Sequence, residues 1–245
     1  MGATAFAAEV DCLKCHAKLK AGKSVHAALD MGCASCHTGI DASKVPHKKT
    51  NNLPNGLSED QPALCYGCHD KTMFEKKTVH AAIGMGCTAC HDPHASKNPK
   101  LLKAEAPDLC FGCHDKKEFT RKTVHAPVAG GMCLTCHNPH ASNEISLLLK
   151  KPAETCLQCH EGYDKKIHGI AGFGAKPHPV RPETKKWLKT DKGSKAVEAE
   201  LMDPSRPGKP FYCAGCHEPH SSNVPNLLRF NAKSDMDLCG HCHKM

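Results

Sequence analysis

Every cysteine of this chain stands in a C-x-x-C pair, and a histidine follows the second cysteine each time. The nine runs are CLKCH (Cys12, Cys15, His16), CASCH (Cys33, Cys36, His37), CYGCH (Cys65, Cys68, His69), CTACH (Cys87, Cys90, His91), CFGCH (Cys110, Cys113, His114), CLTCH (Cys133, Cys136, His137), CLQCH (Cys156, Cys159, His160), CAGCH (Cys213, Cys216, His217) and CGHCH (Cys239, Cys242, His243). Together they use all 18 cysteines. C-x-x-C-H is the attachment motif of c-type haem. The spacing has a mechanical basis. Residues three apart share one side of a helical turn, so two sulfurs reach the two vinyl groups on one porphyrin edge. The next residue then brings an imidazole beneath the iron.

Paired C-x-x-C units also build zinc sites. The 17, 18 and 19 residues that separate Cys15 from Cys33, Cys68 from Cys87 and Cys113 from Cys133 fall in that window. A four-cysteine zinc site takes pairs two at a time, however, and nine is odd. Nor does it need the adjacent histidine. With 19 His in 245 residues, nine hits in nine by chance has a probability of roughly 10⁻¹⁰. Disulfide or thioredoxin-like thiol chemistry fails on the same count.

Haem iron takes two axial ligands. Beyond the motif histidines the chain holds His26, His47, His80, His94, His125, His140, His168, His178, His220 and His241. His241 lies inside CGHCH, is poorly placed to cross a haem plane, and reads as solvent-facing. Nine remain for nine irons, so each iron can have two histidines. Methionine is the competing ligand. Met31, Met85 and Met132 stand one or two residues before a motif, a tether that sets them beside their own haem edge, where they pack on porphyrin. His94, His140 and His220 follow a motif histidine by three residues in CHDPH, CHNPH and CHEPH. Side chains three apart on a turn lie on the same side, so these three must reach a neighbouring haem. His47, in VPH, plays a similar part at longer range.

These ligands have to be positioned by repeated elements. The first cysteines Cys65, Cys110 and Cys156 recur at 45–46 residues. The expected organisation is a signal-peptide remnant and tail at 1–11, a two-haem module at 12–48, a linker at 49–64, modules at 65–103, 110–150 and 156–230, and a ninth motif in 231–245. Each module reads motif, about ten residues, a histidine (His26, His80, His125 or His168), a second motif, a closing histidine (His47, His94, His140 or His220) and usually LL. The fourth module carries an insert at 161–212, whose KPHPV supplies His178 as the ninth second ligand. The insert is charged and bounded by Pro and Gly, and is expected to be a solvated surface loop, with a docking loop as the alternative and Trp187 as the aromatic to test for partner contact.

Composition limits the fold. Aromatic residues are 4%, charged residues 24%, and mean hydropathy is −0.47. Such a chain has little with which to build a side-chain core. With 19 Gly and 17 Pro, the expected class is mostly coil with short α-helices, essentially no sheet, and haems forming the core. Helices are expected at 10–19, 63–74, 108–119, 153–163 and 234–243, several starting just after Pro or Asp. No apolar run approaches the roughly 18 residues of a membrane span.

The stretch LCYGCHD…KTVH…CTACHDPHAS…LL and its copy LCFGCHD…KTVH…CLTCHNPHAS…LLL resemble the doubled-C-x-x-C-H multihaem cytochromes c, most clearly over 62–170 and 211–243. The resemblance implies haems c with two histidines each, and an electron carrier of the periplasm or outer membrane. The first module departs from it: CHTGIDASKVPH lacks the compact PH spacing, which leaves open the iron that His47 serves.

The formal charge is +8. Nine ferric bis-His haems at about −1 each nearly cancel it, so the excess Lys and Arg balance propionates and form docking patches rather than a nucleic-acid surface. A compact chain of this length has a radius of gyration of roughly 18 Å, so nine haems are near neighbours and electrons can hop between them. Two imidazoles keep iron six-coordinate and low-spin, and without a thioether ligand its potential stays low. The expected function is non-enzymatic: a periplasmic relay from a quinol-oxidising cytochrome to a reductase or outer-membrane conduit. The alternatives are a subunit of a porin–cytochrome conduit or extracellular filament, as an oligomer, and a terminal reductase. A reductase wants an open iron position, whereas all nine motifs end in His.

Overall fold

The structure, a computed structural model, describes residues 10–163, 183–190 and 193–243, and of 183–200 only the backbone. The chain divides into two units, residues 1–75 with 79–109, and residues 76–78 with 110–245. The fold class is the expected one: among the described residues, mostly coil, short helices, and sheets of two strands.

The α-helices among the described residues are Leu13–His16, Ala63–Tyr66, Asp108–Phe111, Ala126–Ala129, Pro152–Leu157 and Asp235–Gly240. They are shorter than the sequence led us to expect, and the reason is local. In CHD, the aspartate after the motif histidine takes an extended backbone, Asp70 at φ −63°, ψ 111° and Asp115 at φ −63°, ψ 114°. Its carboxylate then accepts an N–H from the next turn, Thr72 at 2.9 Å and Lys117 at 3.0 Å. The aspartate thus separates the turn of the motif from the turn Lys71–Met73 or Lys116–Phe119, which it caps.

In the first unit Ser24–Val25 pairs antiparallel with Ala95–Ser96, and Ile40–Asp41 with Lys48–Lys49. In the second, Thr123–Val124 pairs with Ser221–Ser222. The second unit also corrects an expectation. Part of the insert read as a solvated loop is an antiparallel hairpin, Glu183–Thr190 with Gly193–Glu200. Its register sets Lys185 opposite Glu198 and Trp187 opposite Ala196. Charged residues along both strands disguise the apolar alternation by which strands are usually recognised. His168 and His178 lie outside the described residues, as do 1–9 of the expected tail.

Side chains supply almost no core. The buried apolar residues among those described are Ala141, Leu148, Ala153, Phe211, Ala214 and Ala232. Met31, Met85 and Met132 are exposed on the polypeptide, and Val45 is 87% exposed. The best-buried centre is polar. Asp203 accepts from Ser205 N (2.8 Å), Ser205 Oγ (2.6 Å), Arg206 Nε (2.6 Å) and Arg229 Nη1 (3.3 Å). Arg229 also donates to Gly215 O of the CAGCH motif at 2.9 Å. Burial opposes ionisation of Asp203, but the Ser205 hydroxyl and Arg206 guanidinium outweigh it and hold the carboxyl below the usual range. Asp203→Ala leaves Arg206 without its counter-charge and Arg229 with only Glu218, at 3.6 Å, and is expected to cost about 3 kcal/mol. A folded-state pKa that is depressed contributes stability above the unfolded value of about 3.9 and loses it as pH falls through the folded one. Denaturant unfolding followed by near-UV dichroism should therefore separate variant from parent at pH 7. The gap should close below pH 4.

Candidate haem centres

Each motif is one helical turn. In all nine the histidine N–H donates to the carbonyl of the first cysteine at 2.9–3.1 Å, as from His16 to Cys12 and from His243 to Cys239. Both sulfurs and the imidazole therefore leave a single turn, as attachment to one porphyrin edge requires.

Five of the second histidines, His26, His47, His94, His125 and His220, meet motif histidines in pairs. In the first unit His16 and His47 have ring centroids 5.9 Å apart, His26 and His69 6.1 Å, and His37 and His94 6.0 Å. In the second unit His125 and His160 lie 6.0 Å apart, and His137 and His220 5.9 Å. This is too far for ring stacking contact but suits a bridging metal. Two metal–imidazole bonds of about 2 Å and two ring radii of about 1.1 Å sum to about 6 Å. The residues present thus fit bis-imidazole iron. His47, whose partner the sequence left open, meets His16. His94 and His220 face motifs other than the ones they follow.

Tautomers are fixed by main-chain carbonyls. Nδ1 of His26 donates to Pro93 O (2.9 Å), of His37 to Asn55 O (2.9 Å) and of His47 to Lys44 O (2.7 Å). Nδ1 of His125 donates to Pro219 O and of His137 to Ser146 O, both at 2.9 Å. His91 and His217 do likewise to Lys100 O (2.9 Å) and Asn226 O (2.7 Å). A proton held on Nδ1 leaves Nε2 as the ligating atom. Burial pushes His94 and His220 below the usual histidine range, which favours the neutral, ligating imidazole.

The loop between second motif and LL does the positioning. Asp92 and Asn138 accept N–H groups from His94 (2.8 Å) and His140 (2.9 Å), setting the PH dipeptide. The His26 N–H donates to His94 O at 2.8 Å and the His125 N–H to His220 O at 3.0 Å, so these histidines are hooked together in twos through the backbone. Mid-module His26, His80 and His125 share an extended backbone, with φ between −64° and −69°, before a short turn. The second Leu of each LL forms an isolated bridge to the motif histidine: Leu102 with His91, Leu148 with His137, Leu228 with His217. Sequence reasoning missed this clamp, although the recurring LL was its signal.

Sulfurs of first and second motifs adjoin. Cys12 neighbours Cys33, Cys65 neighbours Cys87, and Cys156 neighbours Cys213. Burial pushes the Cys65 and Cys216 thiols up to about 11, and hydrogen bonding with Cys213 pushes Cys156 up. Attachment as thioethers removes these protons altogether. His241 is exposed, as expected, yet one ring face stacks on Phe230 at 4.1 Å.

A family model described as the doubled CXXCH motif matches residues 26–74, 80–119, 125–165 and 204–245, well over half of the chain. Two matched stretches each contain a complete imidazole pair, His26 with His69 and His125 with His160. No curated protein matches the chain.

Proposed function

The chain belongs to the family of the doubled CXXCH motif, the multihaem c-type cytochromes of electron transfer, and from that premise we propose that it is a periplasmic electron carrier with nine covalent haems c. The 18 motif cysteines hold the rings. The ligands are the nine motif histidines together with His26, His47, His80, His94, His125, His140, His168, His178 and His220, and the two-haem modules are those read from the sequence. Bound haem supplies a one-electron ferric–ferrous couple. The chain's own residues keep both axial positions filled, hold the Nδ1 protons on carbonyls and so allow transfer with little rearrangement. This is a carrier's design rather than an enzyme's. We assign it an exported location and redox-protein partners, a quinol-oxidising cytochrome on one side and a reductase or outer-membrane conduit on the other. Among the described residues no helix is long and apolar enough to cross a membrane.

The observation that carries this reading is the set of five imidazole pairs at 5.9–6.1 Å. In the natively matured protein, haemochrome absorbance should count nine haems per chain. The mass should exceed the 26.4 kDa polypeptide by nine attached groups. Its spectra should be low-spin in both oxidation states and unchanged by carbon monoxide. A colourless protein sinks the proposal, and a high-spin, carbon-monoxide-binding fraction would turn it toward a reductase.

A further inference from the structure

Four left-handed turns recur at one place in the repeat. Asn55 (φ 52°), Lys100 (φ 54°), Ser146 (φ 51°) and Asn226 (φ 56°) all lie in the αL region. Each is followed by a second positive-φ residue, Gly56, Leu101, Leu147 or Leu227. Non-glycine residues there cost of the order of 1 kcal/mol each and persist where the surroundings force them, often at functional sites. Each turn aims the carbonyl of its first residue at the Nδ1 of a second-motif histidine, at 2.7–2.9 Å. Three of the turns stand nine residues after that histidine, whereas the first stands 18 residues after it. The longer first loop includes the Ile40–Asp41 and Lys48–Lys49 ladder, and still ends in the same contact. The chain length changes and the carbonyl does not.

The five imidazole pairs give this contact a purpose. In every pair one ring donates Nδ1–H to a main-chain carbonyl, and its opposite makes no such bond within the described residues; Nδ1 of His94 instead stands 3.9 Å from Asp92 Oδ1. The bonded rings are His47, His26, His37, His125 and His137. Their opposites are His16, His69, His94, His160 and His220. In first-motif pairs the bonded ring is the second ligand; in the second-motif pairs, His37 with His94 and His137 with His220, it is the motif histidine, and an αL turn supplies the acceptor.

We propose that these four turns are tuning elements for the irons of the second motifs, each aiming a carbonyl at the motif histidine and thereby lowering that iron's reduction potential. A carbonyl that draws on the Nδ1 proton makes Nε2 a stronger donor, and a stronger donor favours ferric over ferrous iron. Asn55, Lys100, Ser146 and Asn226 are positioning residues that act through the imidazole. The inference rests on the haem reading above, and its test separates the two.

Ser146 is the residue to change. Proline fixes φ near −65° and forbids the turn, whereas glycine adopts αL freely. Spectropotentiometric titration of the matured Ser146→Pro protein should show one ninth of the amplitude moved to higher potential and the rest in place. Ser146→Gly should titrate like the parent. Nine haems by haemochrome with no component moved in Ser146→Pro overturns the tuning role but leaves the carrier intact; an unaltered protein without nine haems overturns the carrier. Should Ser146→Pro fail to mature, the unaltered protein decides. Proton NMR in deuterium oxide should find His137 Nδ1–H exchanging about tenfold more slowly than that of His160, and equal rates would overturn the proposal.

Discussion

Without haem attachment this polypeptide is expected not to fold. Ordering each residue costs about 1–2 kcal/mol of backbone entropy, and burial of large apolar side chains normally offsets it at about 1.5–3 kcal/mol apiece. Here the buried apolar residues among those described are four alanines, Leu148 and Phe211. The helices span four to six residues, far below the length at which a helix is stable alone. Most of the ladders are two residues long. The apolar material that would close the structure is the porphyrin, held by thioethers and by imidazoles six ångströms apart. Expression without the haem-attachment machinery should therefore give a protease-sensitive chain with a coil-like far-UV dichroism spectrum and no cooperative unfolding transition. The matured protein should resist proteolysis and melt cooperatively. A haem-free chain with native-like protease resistance would show that side chains carry the fold after all.

The sequence made the covalent chemistry plain because that chemistry is local. Two sulfurs and an imidazole within five residues need only one turn, and the i to i+4 hydrogen bond from His to Cys forms in each motif. The candidate second ligands could be counted as a set, and geometry led us to expect His94 and His220 to face motifs other than their own, as their rings do toward His37 and His137. Their partners were not legible. The pairing of His26 with His69 depends on a strand of one repeat lying on the loop of another, Val25 against Ala95, and nothing within either segment encodes that register. The expected helices 63–74 and 108–119 ran too long because Asp70 and Asp115 within them cap separate turns. The hairpin of the insert escaped notice because its strands carry charge where strands usually carry apolar residues. The αL turns escaped because Lys100, Ser146 and the leucines after them are not residues that advertise positive φ.

Replacing His94 should convert one iron and spare the rest. Its ring meets His37 at 6.0 Å, while its backbone is held independently by Asp92 and by the His26 N–H. His94→Ala thus removes an imidazole without releasing the loop, and the Pro93 carbonyl still accepts from His26. One ninth of the iron should become five-coordinate and high-spin, bind carbon monoxide when reduced and titrate at higher potential. His94→Met should stay six-coordinate and low-spin, with a potential raised by on the order of 100 mV, inside the roughly 0.8 V range that axial ligands command. His241→Ala is the matched control, since that ring stacks on Phe230 and stands in none of the five pairs. Its spectrum and potentials should not move. Electron paramagnetic resonance of the three oxidised variants, with carbon monoxide difference spectra of the reduced forms, resolves them. A His94→Ala protein that remains wholly low-spin and silent to carbon monoxide would mean that His94 ligates no iron, and that six-ångström spacing between imidazoles is not the mark of a haem between them.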